Sequence, residues 1–235
     1  MALNDTILLI SDQHMPFHHC DMFDFLNALK KKYKPTRIIN LGDEADKHRL
    51  SFHNSIEELF SAGEELEKTI EYIQEMYKMF PKMDILESNH GSLHLRRARH
   101  HGLPFGYLKT YNDLYGVDHK WKWHKDLTIK LPNGLKCYFH HGKIKDSAKL
   151  GQSMGMCAVQ GHYHESFKVD YWGNPDGLYW GMNIGCLIDN DQLSFEYNRL
   201  FPKRPIIGTG IIEDSLPRLL PMVLNKKGRW NKKVP

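Results

Sequence analysis

The sequence predicts an α/β fold in which strands and helices first alternate and strands then follow one another. Short apolar runs bounded by turn residues recur between residues 6 and 159, and amphipathic helical patterns separate the first of them. From residue 178 onwards, short strand-like segments are separated by Gly, Asn, Asp and Pro. This order favours a layered fold whose later strands build a second sheet.

Buried strands are predicted where aliphatic or β-branched runs lie between turn residues. In the first part of the chain, these runs occupy residues 6–10, 37–41, 82–86, 135–139 and 157–159. The later strands are predicted at residues 178–187, 193–197, 206–212 and 219–224.

Two segments have the spacing of amphipathic helices. Residues 21–32 place Phe23, Phe25, Leu26 and Leu29 near one face, and lysines stand at the end where the helix dipole favours cations. Residues 55–80 repeat apolar side chains at three- and four-residue steps until Pro81 stops the pattern. The stripe over residues 55–80 is expected to pack in the core.

Composition limits the class of protein. The chain has 235 residues, 26% of them charged, and a formal net charge of +4, as expected for a globular protein. The sequence contains neither an internal repeat nor a linker rich in Gly, Ser or Pro. We therefore predict one domain over residues 1–224, followed by a loose, basic C-terminal tail over residues 225–235.

Several locations and partners are disfavoured. No apolar run approaches the ~18 residues that a membrane span needs, and the first residues lack the basic start of a signal peptide. The cysteines form no CxxC pair, which disfavours a zinc ribbon and a disulfide framework. The cytoplasm is the expected location, with no membrane partner. A charge of +4 permits a nucleic-acid partner without requiring one.

Side chains with oxygen or nitrogen atoms that can coordinate a cation follow each of the first five predicted strands. Because carboxyl ends of strands in an α/β sheet converge on one crevice, these groups are expected to meet. Carboxylates, imidazoles and an amide oxygen without thiolates suit divalent ions such as manganese, iron or zinc. In chain order, the groups are Asp12 and His14, Asp43 and Asp46, Asn89 and His90, His140 and His141, and His162 and His164.

This ordered set of Asp-x-His, Gly-Asp-x-x-Asp, Asn-His, His-Gly and Gly-His-x-His resembles the calcineurin-like metallophosphoesterases over about residues 6–190. The resemblance implies two facing mixed β-sheets flanked by helices. It also implies two divalent metal ions, with manganese as the first choice and iron, zinc or nickel as alternatives. The ligands it implies are Asp12, His14 and His164 for one ion, Asn89, His141 and His162 for the other, and Asp43 bridging both.

The same resemblance implies hydrolysis of a phosphoester by in-line attack of a metal-bound hydroxide. Two cations ~3.5–4 Å apart can hold both the attacking and the leaving oxygen. The negative charge of a bridging Asp43 would offset the repulsion between two cations at this distance. His90 is the implied catalytic group beside the metals, with Asp46 orienting it, and it could protonate the leaving oxygen.

The substrate class stays open at this point. Phosphodiesters of nucleotides or nucleic acids are favoured, with a phosphomonoesterase acting on nucleotides or proteins as the alternative. A non-catalytic module that only holds metal is a further alternative. Its support is Gly91, which stands where the family usually has Asp or Glu and so removes a partner that could position His90.

The fourth motif is ambiguous because His140 and His141 are adjacent, and adjacent strand residues point to opposite faces. His141 is favoured, since it directly precedes a glycine as the family's ligand does.

Basic residues near the third motif could select the substrate. If residues 93–101 are helical, Arg96 or Arg97 could reach a second phosphate, or this basic face could simply be solvated. Trp121 and Trp123 alternate with basic residues, so they could stack on nucleobases or form the buried face of an edge strand. The expected partner is a phosphoester substrate, with nucleotides and single-stranded nucleic acid among the candidates.

Overall fold

The computed structural model describes residues 5–52, 59–190 and 204–235. The helices of these residues are α1 (Met22–Tyr33), α2 (Ala62–Met79), α3 (Leu93–His100), α4 (Tyr111–Tyr115) and α5 (Ser147–Met154), with 3-10 turns at His48–Leu50 and Phe105–Tyr107. The strands are β1 (Thr6–Ile10), β2 (Arg37–Asn40), β3 (Met83–Leu86), β4 (Trp121–His124), β5 (Leu127–Lys130), β6 (Lys136–His140), β7 (Cys157–Gln160), β8 (Phe167–Asn174), β9 (Gly177–Ile184), β10 (Gly208–Glu213) and β11 (Leu216–Pro221).

Within the described residues, the strands form two mixed sheets. The first has the order β11-β10-β1-β2-β3-β4, and the second has the order β5-β6-β7-β9-β8. Strands β1 to β4 are parallel in the first sheet, as are β6, β7 and β9 in the second. The predicted fold class, two facing mixed β-sheets flanked by helices, is confirmed.

Strand β1 shows how the two layers share one core. Its side chains alternate between faces, as strand geometry requires. Leu8 and Ile10 pack with residues of α1 and α2, whereas Ile7 and Leu9 pack with side chains of the second sheet. The strand is therefore buried on both faces, which explains its continuous apolar sequence. None of the helices in the described parts of the chain has both the length and the hydropathy needed to cross a membrane.

The predicted strands at residues 6–10, 37–41, 82–86, 135–139 and 157–159 lie on β1, β2, β3, β6 and β7. The long predicted helix was placed too early, because α2 begins at Ala62. Ser61 Oγ accepts a hydrogen bond from the Glu64 amide, while the Glu64 carboxylate accepts one from the Ser61 amide, and this capping box starts the helix. Residues 55–58 of that prediction, and the predicted strand at 193–197, lie outside the described residues.

The two tryptophans of β4 belong to the core side of an edge strand. Trp121 is 2% exposed, and its Nε1 donates to the Phe80 carbonyl at 2.8 Å. The Trp123 ring stacks on Tyr111 at 5.2 Å with an interplanar angle of 8°. Because both rings are engaged internally and β4 ends the first sheet, the interpretation as a nucleobase-stacking pair is wrong.

The C-terminal segment is attached to α1 rather than loose, which corrects the prediction for residues 225–235. Trp230 is 5% exposed and meets the Phe25 ring edge-on at 5.4 Å. The Arg229 Nε and the Trp230 amide both donate to Asp21 Oδ2, at 2.8 and 2.9 Å. The hydrogen bond from Arg229 lowers the pKa of Asp21 well below its ordinary value. A buried ring and an anchored guanidinium thus hold this segment in place.

Replacement of Trp230 by Ala is expected to lower the free energy of unfolding by about 3 kcal/mol, at the lower end of values for buried Trp-to-Ala changes. Urea unfolding measures this difference. The matched control is Lys226→Ala, an exposed change in the same segment that should stay within about 0.5 kcal/mol of wild type. A loss below about 1 kcal/mol for Trp230→Ala would mean that the segment is not docked in solution.

Candidate metal centre

The loops that leave β1, β2, β3, β6 and β7 meet at the carboxyl ends of these strands, between the two sheets. All the predicted ligands and His90 lie there. A cavity of about 200 Å³ opens among them. It is lined by His14, Asp43, Asn89, His90, His162, His164 and Glu165.

Asp12, His14 and His164 form the first group of possible metal ligands. One ligand atom from each lies within 4.8 Å of the others. Asp12 Oδ1 is 3.0 Å from His164 Nε2 and 3.9 Å from His14 Nε2. The other carboxylate oxygen accepts hydrogen bonds from the His162 amide, at 2.9 Å, and from the neighbouring serine hydroxyl. These bonds fix the carboxylate so that Oδ1 faces the two imidazoles.

Asp43, His141 and His162 form the second group, again with one ligand atom from each within 4.8 Å of the others. His141 Nε2 lies 3.1 Å from Asp43 Oδ2 and 2.7 Å from Asn89 Oδ1, so the amide oxygen of Asn89 joins this group. Asp43 Oδ2 is also 3.5 Å from His14 Nε2. The Asp43 carboxylate therefore faces both its own group and His14 of the first group.

The donor set fits divalent cations. Asp12 and Asp43 are 0% and 1% exposed, and the groups that face them are mainly imidazoles. Burial opposes ionisation of Asp43, but the charge of His141 and of other imidazoles holds its pKa well below the ordinary value. Buried carboxylates are stable only with positive charge beside them. Cations coordinated by the neutral imidazoles would provide it.

His141, and not His140, lies in the cluster. The His141 Nδ1 donates to the Leu41 carbonyl at 2.9 Å, which turns Nε2 toward Asp43. Burial lowers the pKa of His141, but the Asp43 carboxylate raises it more, to about 9. His140 points away, because its Nδ1 accepts from the Gly142 amide at 3.1 Å and its ring stacks beside Tyr138.

Asp46 orients two imidazoles. Its Oδ1 accepts from His14 Nδ1 at 2.6 Å, and its backbone carbonyl accepts from His90 Nδ1 at 2.6 Å. The sequence indicated only a link with His90. Burial lowers the pKa of His90, but the charges of Asp43 and Asp46 outweigh it and raise the pKa above the ordinary value. Hydrogen bonds of this kind fix ring orientation and tautomer around metal sites.

The backbone at the centre is unusual. Asp12, His14, Asp43 and His162 have φ angles of 52°, 50°, 51° and 64°, in the left-handed region. Each such residue costs on the order of 1 kcal/mol or more and persists only where surrounding contacts enforce it. Four of them in one cluster of polar side chains are typical of a functional site, independently of any resemblance.

Gly91 is required by close packing. A Cβ at this position would lie 2.7 Å from Ser88 Oγ and 3.1 Å from the nearer Glu44 carboxylate oxygen. Ser88 Oγ is not free to move, because it accepts from the Asp43 amide at 2.8 Å and from the Gly91 amide at 3.1 Å. The Glu44 carboxylate thus already occupies the space that an acidic residue at position 91 would need.

Two buried titratable side chains support the same turn. Lys47 is 7% exposed, and its ammonium group donates to the Gly91 carbonyl and lies 3.0 Å from His94 Nδ1. Glu44 is 2% exposed and accepts from the Tyr115 hydroxyl at 3.1 Å. Burial lowers the pKa of Lys47 to about 8, and it raises that of Glu44. The sequence did not single out either residue, although both lie within four positions of Asp43.

Introducing the usual acid at this position, Gly91→Asp, is expected to damage the centre. The new side chain must displace Ser88 Oγ from Asp43 and bring a second carboxylate against Glu44. Overpacking of this kind costs about 1–3 kcal/mol. We expect a lower Tm and a smaller Tm rise on adding Mn²⁺. Gly63→Asp is the control, since a Cβ there meets nothing within 4 Å; a larger Mn²⁺ response in Gly91→Asp would contradict this account.

The two predicted substrate-binding arginines differ in their surroundings. Arg96 Nη2 donates to the Asn89 carbonyl at 3.1 Å, so its guanidinium borders the centre. Arg97 donates from Nε to the Leu50 carbonyl at 2.9 Å and from Nη2 to the Ser51 carbonyl, which ties α3 to the 3-10 turn. Neither of them lines the cavity. Their contact with substrate stays a prediction.

Glu165 is a cavity residue that the sequence argument missed. It directly follows His164 in the fifth motif, and Lys145 Nζ lies 2.5 Å from its Oε1. Its place next to a predicted ligand was the available signal.

No family model matches the chain, and no curated protein matches it. Several solved structures do match it over nearly their whole length. Vps29 from Cryptosporidium parvum is 13% identical with a TM-score of 0.53, covering 99% of this chain and 97% of that one. Chaetomium thermophilum Vps29 is 12% identical with a TM-score of 0.52, covering 100% and 96%. The E. coli phosphoesterase YfcE is 11% identical with a TM-score of 0.47, covering 96% of each chain.

The Vps29 structures establish the fold. The chain shares their fold, and this agrees with the two facing sheets flanked by helices that the order of the five motifs implied. At these identities the likeness concerns the fold alone.

Proposed function

We propose that the protein is a dinuclear-metal phosphoesterase. The observation that carries this proposal is the pair of donor groups on either side of Asp43, at the carboxyl ends of strands in a metallophosphoesterase fold. Asn89 adds an amide oxygen to the second group. Manganese is the first choice for both ions because oxygen and imidazole donors are mixed, and iron, zinc or nickel are the alternatives.

The chain's own residues have distinct tasks in this proposal. Asp43 would hold the two ions close together, since its carboxylate faces both donor groups. When bound, the two cations supply Lewis acidity toward a phosphoryl group and lower the pKa of water. Asp46 holds His14 and His90 in the orientations that binding requires.

His90 is proposed to protonate the leaving oxygen. Its Nδ1 proton is donated to the Asp46 carbonyl, so Nε2 is the ring atom that can give a proton to the substrate. The Asp46 carboxylate, 3.3 Å from Nδ1, and the Asp46 carbonyl both favour the protonated ring. The Asp43 carboxylate also accepts from the His90 amide at 2.9 Å, which fixes the ring beside the cavity.

A phosphodiester is the favoured substrate. The cavity of about 200 Å³ is smaller than ordinary ligand pockets, which span about 300–1,000 Å³. It suits a phosphoryl group, with the rest of the substrate lying on the surface outside. Arg96 borders the centre at the Asn89 carbonyl and offers a positive charge there. A phosphomonoesterase is the alternative within the same chemistry.

A metal-holding binding module without turnover is the second candidate. Two observations favour it: Gly91 replaces the usual acid, and the fold is shared with proteins named for vacuolar protein sorting. The contacts of Glu44 and Lys47 around Gly91 weigh against the first of these.

The experiment is a substrate panel with chelator-treated protein, with and without Mn²⁺. It compares bis(4-nitrophenyl) phosphate, 4-nitrophenyl phosphate, a cyclic nucleotide and single-stranded DNA. We expect Mn²⁺-dependent hydrolysis of the diesters, faster than that of the monoester and abolished by EDTA. Faster monoester hydrolysis would favour the phosphomonoesterase. A raised Tm with Mn²⁺ but no turnover of any substrate would favour the binding module.

A further inference from the structure

Helix α3 and the loop that follows it carry positive charge and no acidic residue of their own. Residues 88–112 contain no Asp or Glu. The arginine–carboxylate pairs of the described residues involve Arg37, Arg218 and Arg229, and none involves the three arginines of α3. Those three are Arg96, Arg97 and Arg99.

Exposed aromatic rings lie under these arginines. The Arg97 guanidinium is 4.1 Å from the ring centroid of Phe52, and the Arg99 guanidinium is 4.8 Å from that of Phe105. Phe52 and Phe105 are each 48% exposed, and Tyr107 is 79% exposed. Exposed aromatic rings grouped with cations are typical of a binding surface. We call this surface the α3 face and define it by Phe52, Arg96, Arg97, Arg99, Phe105 and Tyr107.

The α3 face adjoins the metal centre. Helix α3 begins at Leu93, three residues after His90, and Arg96 donates to the carbonyl of Asn89. The cavity at the centre, of about 200 Å³, is smaller than an ordinary ligand pocket of about 300–1,000 Å³. A linear substrate with a phosphate in that cavity would therefore continue onto the surface beside it.

We propose that the α3 face binds single-stranded nucleic acid, with its arginines on phosphates and its exposed rings stacked against bases. Unpaired bases offer flat faces to such rings, and a backbone of phosphates complements the positive charge of the three α3 arginines. A duplex hides those faces, and an acidic peptide would leave the rings unused. The route toward the metal centre rests on the proposed function, whereas the binding itself needs no turnover.

The test measures binding without cleavage. Fluorescence anisotropy follows a labelled single-stranded oligonucleotide in EDTA, with wild type and with the variant Arg99→Ala/Tyr107→Ala. We expect the variant to bind roughly ten- to hundred-fold more weakly. Its salt dependence should also fall by about 0.7 in the slope of log affinity against log salt for each phosphate that the variant no longer neutralises. Tyr107→Ala alone, at a side chain 79% exposed, should weaken binding several-fold without affecting folding.

A second basic region provides the matched control. A cavity of about 780 Å³ lies at the opposite ends of the parallel strands, with Lys82 and Lys122 among its lining residues. The variant Lys82→Ala/Lys122→Ala removes two exposed charges there, and we expect it to bind the oligonucleotide as wild type does. If this control lost affinity and the α3 variant did not, the oligonucleotide would bind at the second basic region, and the proposal would be overturned.

Three further outcomes separate charge from stacking and binding from chemistry. Dextran sulfate or a duplex binding as tightly as the single strand would overturn the role of the rings. Hydrolysis of bis(4-nitrophenyl) phosphate without any oligonucleotide binding would overturn the α3 face and leave the proposed function intact. Oligonucleotide binding at the α3 face without hydrolysis of any substrate would uphold the face and refute the proposed function.

Discussion

Replacement of Asp43 by Asn is expected to abolish Mn²⁺-dependent hydrolysis and the stabilisation that Mn²⁺ gives. Asp43 is 1% exposed and faces His14 at 3.5 Å and His141 at 3.1 Å, so its negative charge lies between the two donor groups. The amide keeps the shape and removes the charge that would hold two cations together. We expect a loss beyond the roughly 10- to 100-fold that an outer partner of a metal ligand costs. Assays with bis(4-nitrophenyl) phosphate and Mn²⁺-induced shifts of Tm measure both effects.

Two matched carboxylates calibrate this prediction. Asp46→Asn weakens the hydrogen bond to His14 Nδ1, and it should cost roughly 10- to 100-fold in activity. Asp176→Asn makes the same chemical change in an exposed turn and should have no effect. The expected order of loss is therefore Asp43, then Asp46, then Asp176. An Asp43→Asn variant that kept activity within ten-fold of wild type would refute the bridging role.

The sequence predicted the layered fold because strands buried on both faces leave a clear signal. Strand β1 is aliphatic at nearly every position, since Leu8 and Ile10 face helices while Ile7 and Leu9 face the second sheet. The C-terminal segment left no such signal. Trp230 stands among basic residues in the sequence, and tertiary contacts, such as that with Phe25 and the bonds of Asp21 to this segment, make it part of the core.

The members of the candidate site could be chosen from the sequence because Asp, Asn and His residues, which can coordinate cations, recur at successive strand ends. The local geometry could not be predicted. The left-handed backbone at Asp12, His14 and Asp43 is disfavoured for residues with a side chain, so propensity argues against it, and contacts between distant loops impose it. The support of the turn at Gly91 by Glu44 and Lys47 likewise depends on tertiary packing.

Replacement of Gly161 by Ala is expected to disrupt the first group of possible metal ligands, which contains Asp12, His14 and His164. Gly161 precedes His162, and its amide donates to the His141 carbonyl at 2.9 Å. A Cβ at this position would overlap the Ser11 hydroxyl and the Asp12 carboxylate, with the Ser11 Cβ at 3.0 Å. The loop must then move away from Asp12, which breaks the bond from the His162 amide to that carboxylate. We expect destabilisation of about 3 kcal/mol, near the top of the range for overpacking, and loss of the Mn²⁺ response.

Gly173 offers the control, because a Cβ there would meet only ordinary contacts, the nearest at 3.7 Å. Gly173→Ala lies in β8 and should be neutral or stabilising by about 0.5 kcal/mol, since alanine has less conformational freedom to lose. Thermal unfolding with and without Mn²⁺ distinguishes the two variants. If Gly161→Ala unfolded like wild type and responded fully to Mn²⁺, then Asp12 would not be held against this loop. The glycine would then be needed only for the local turn, and the first donor group would not depend on contact between the loops after β1 and β7.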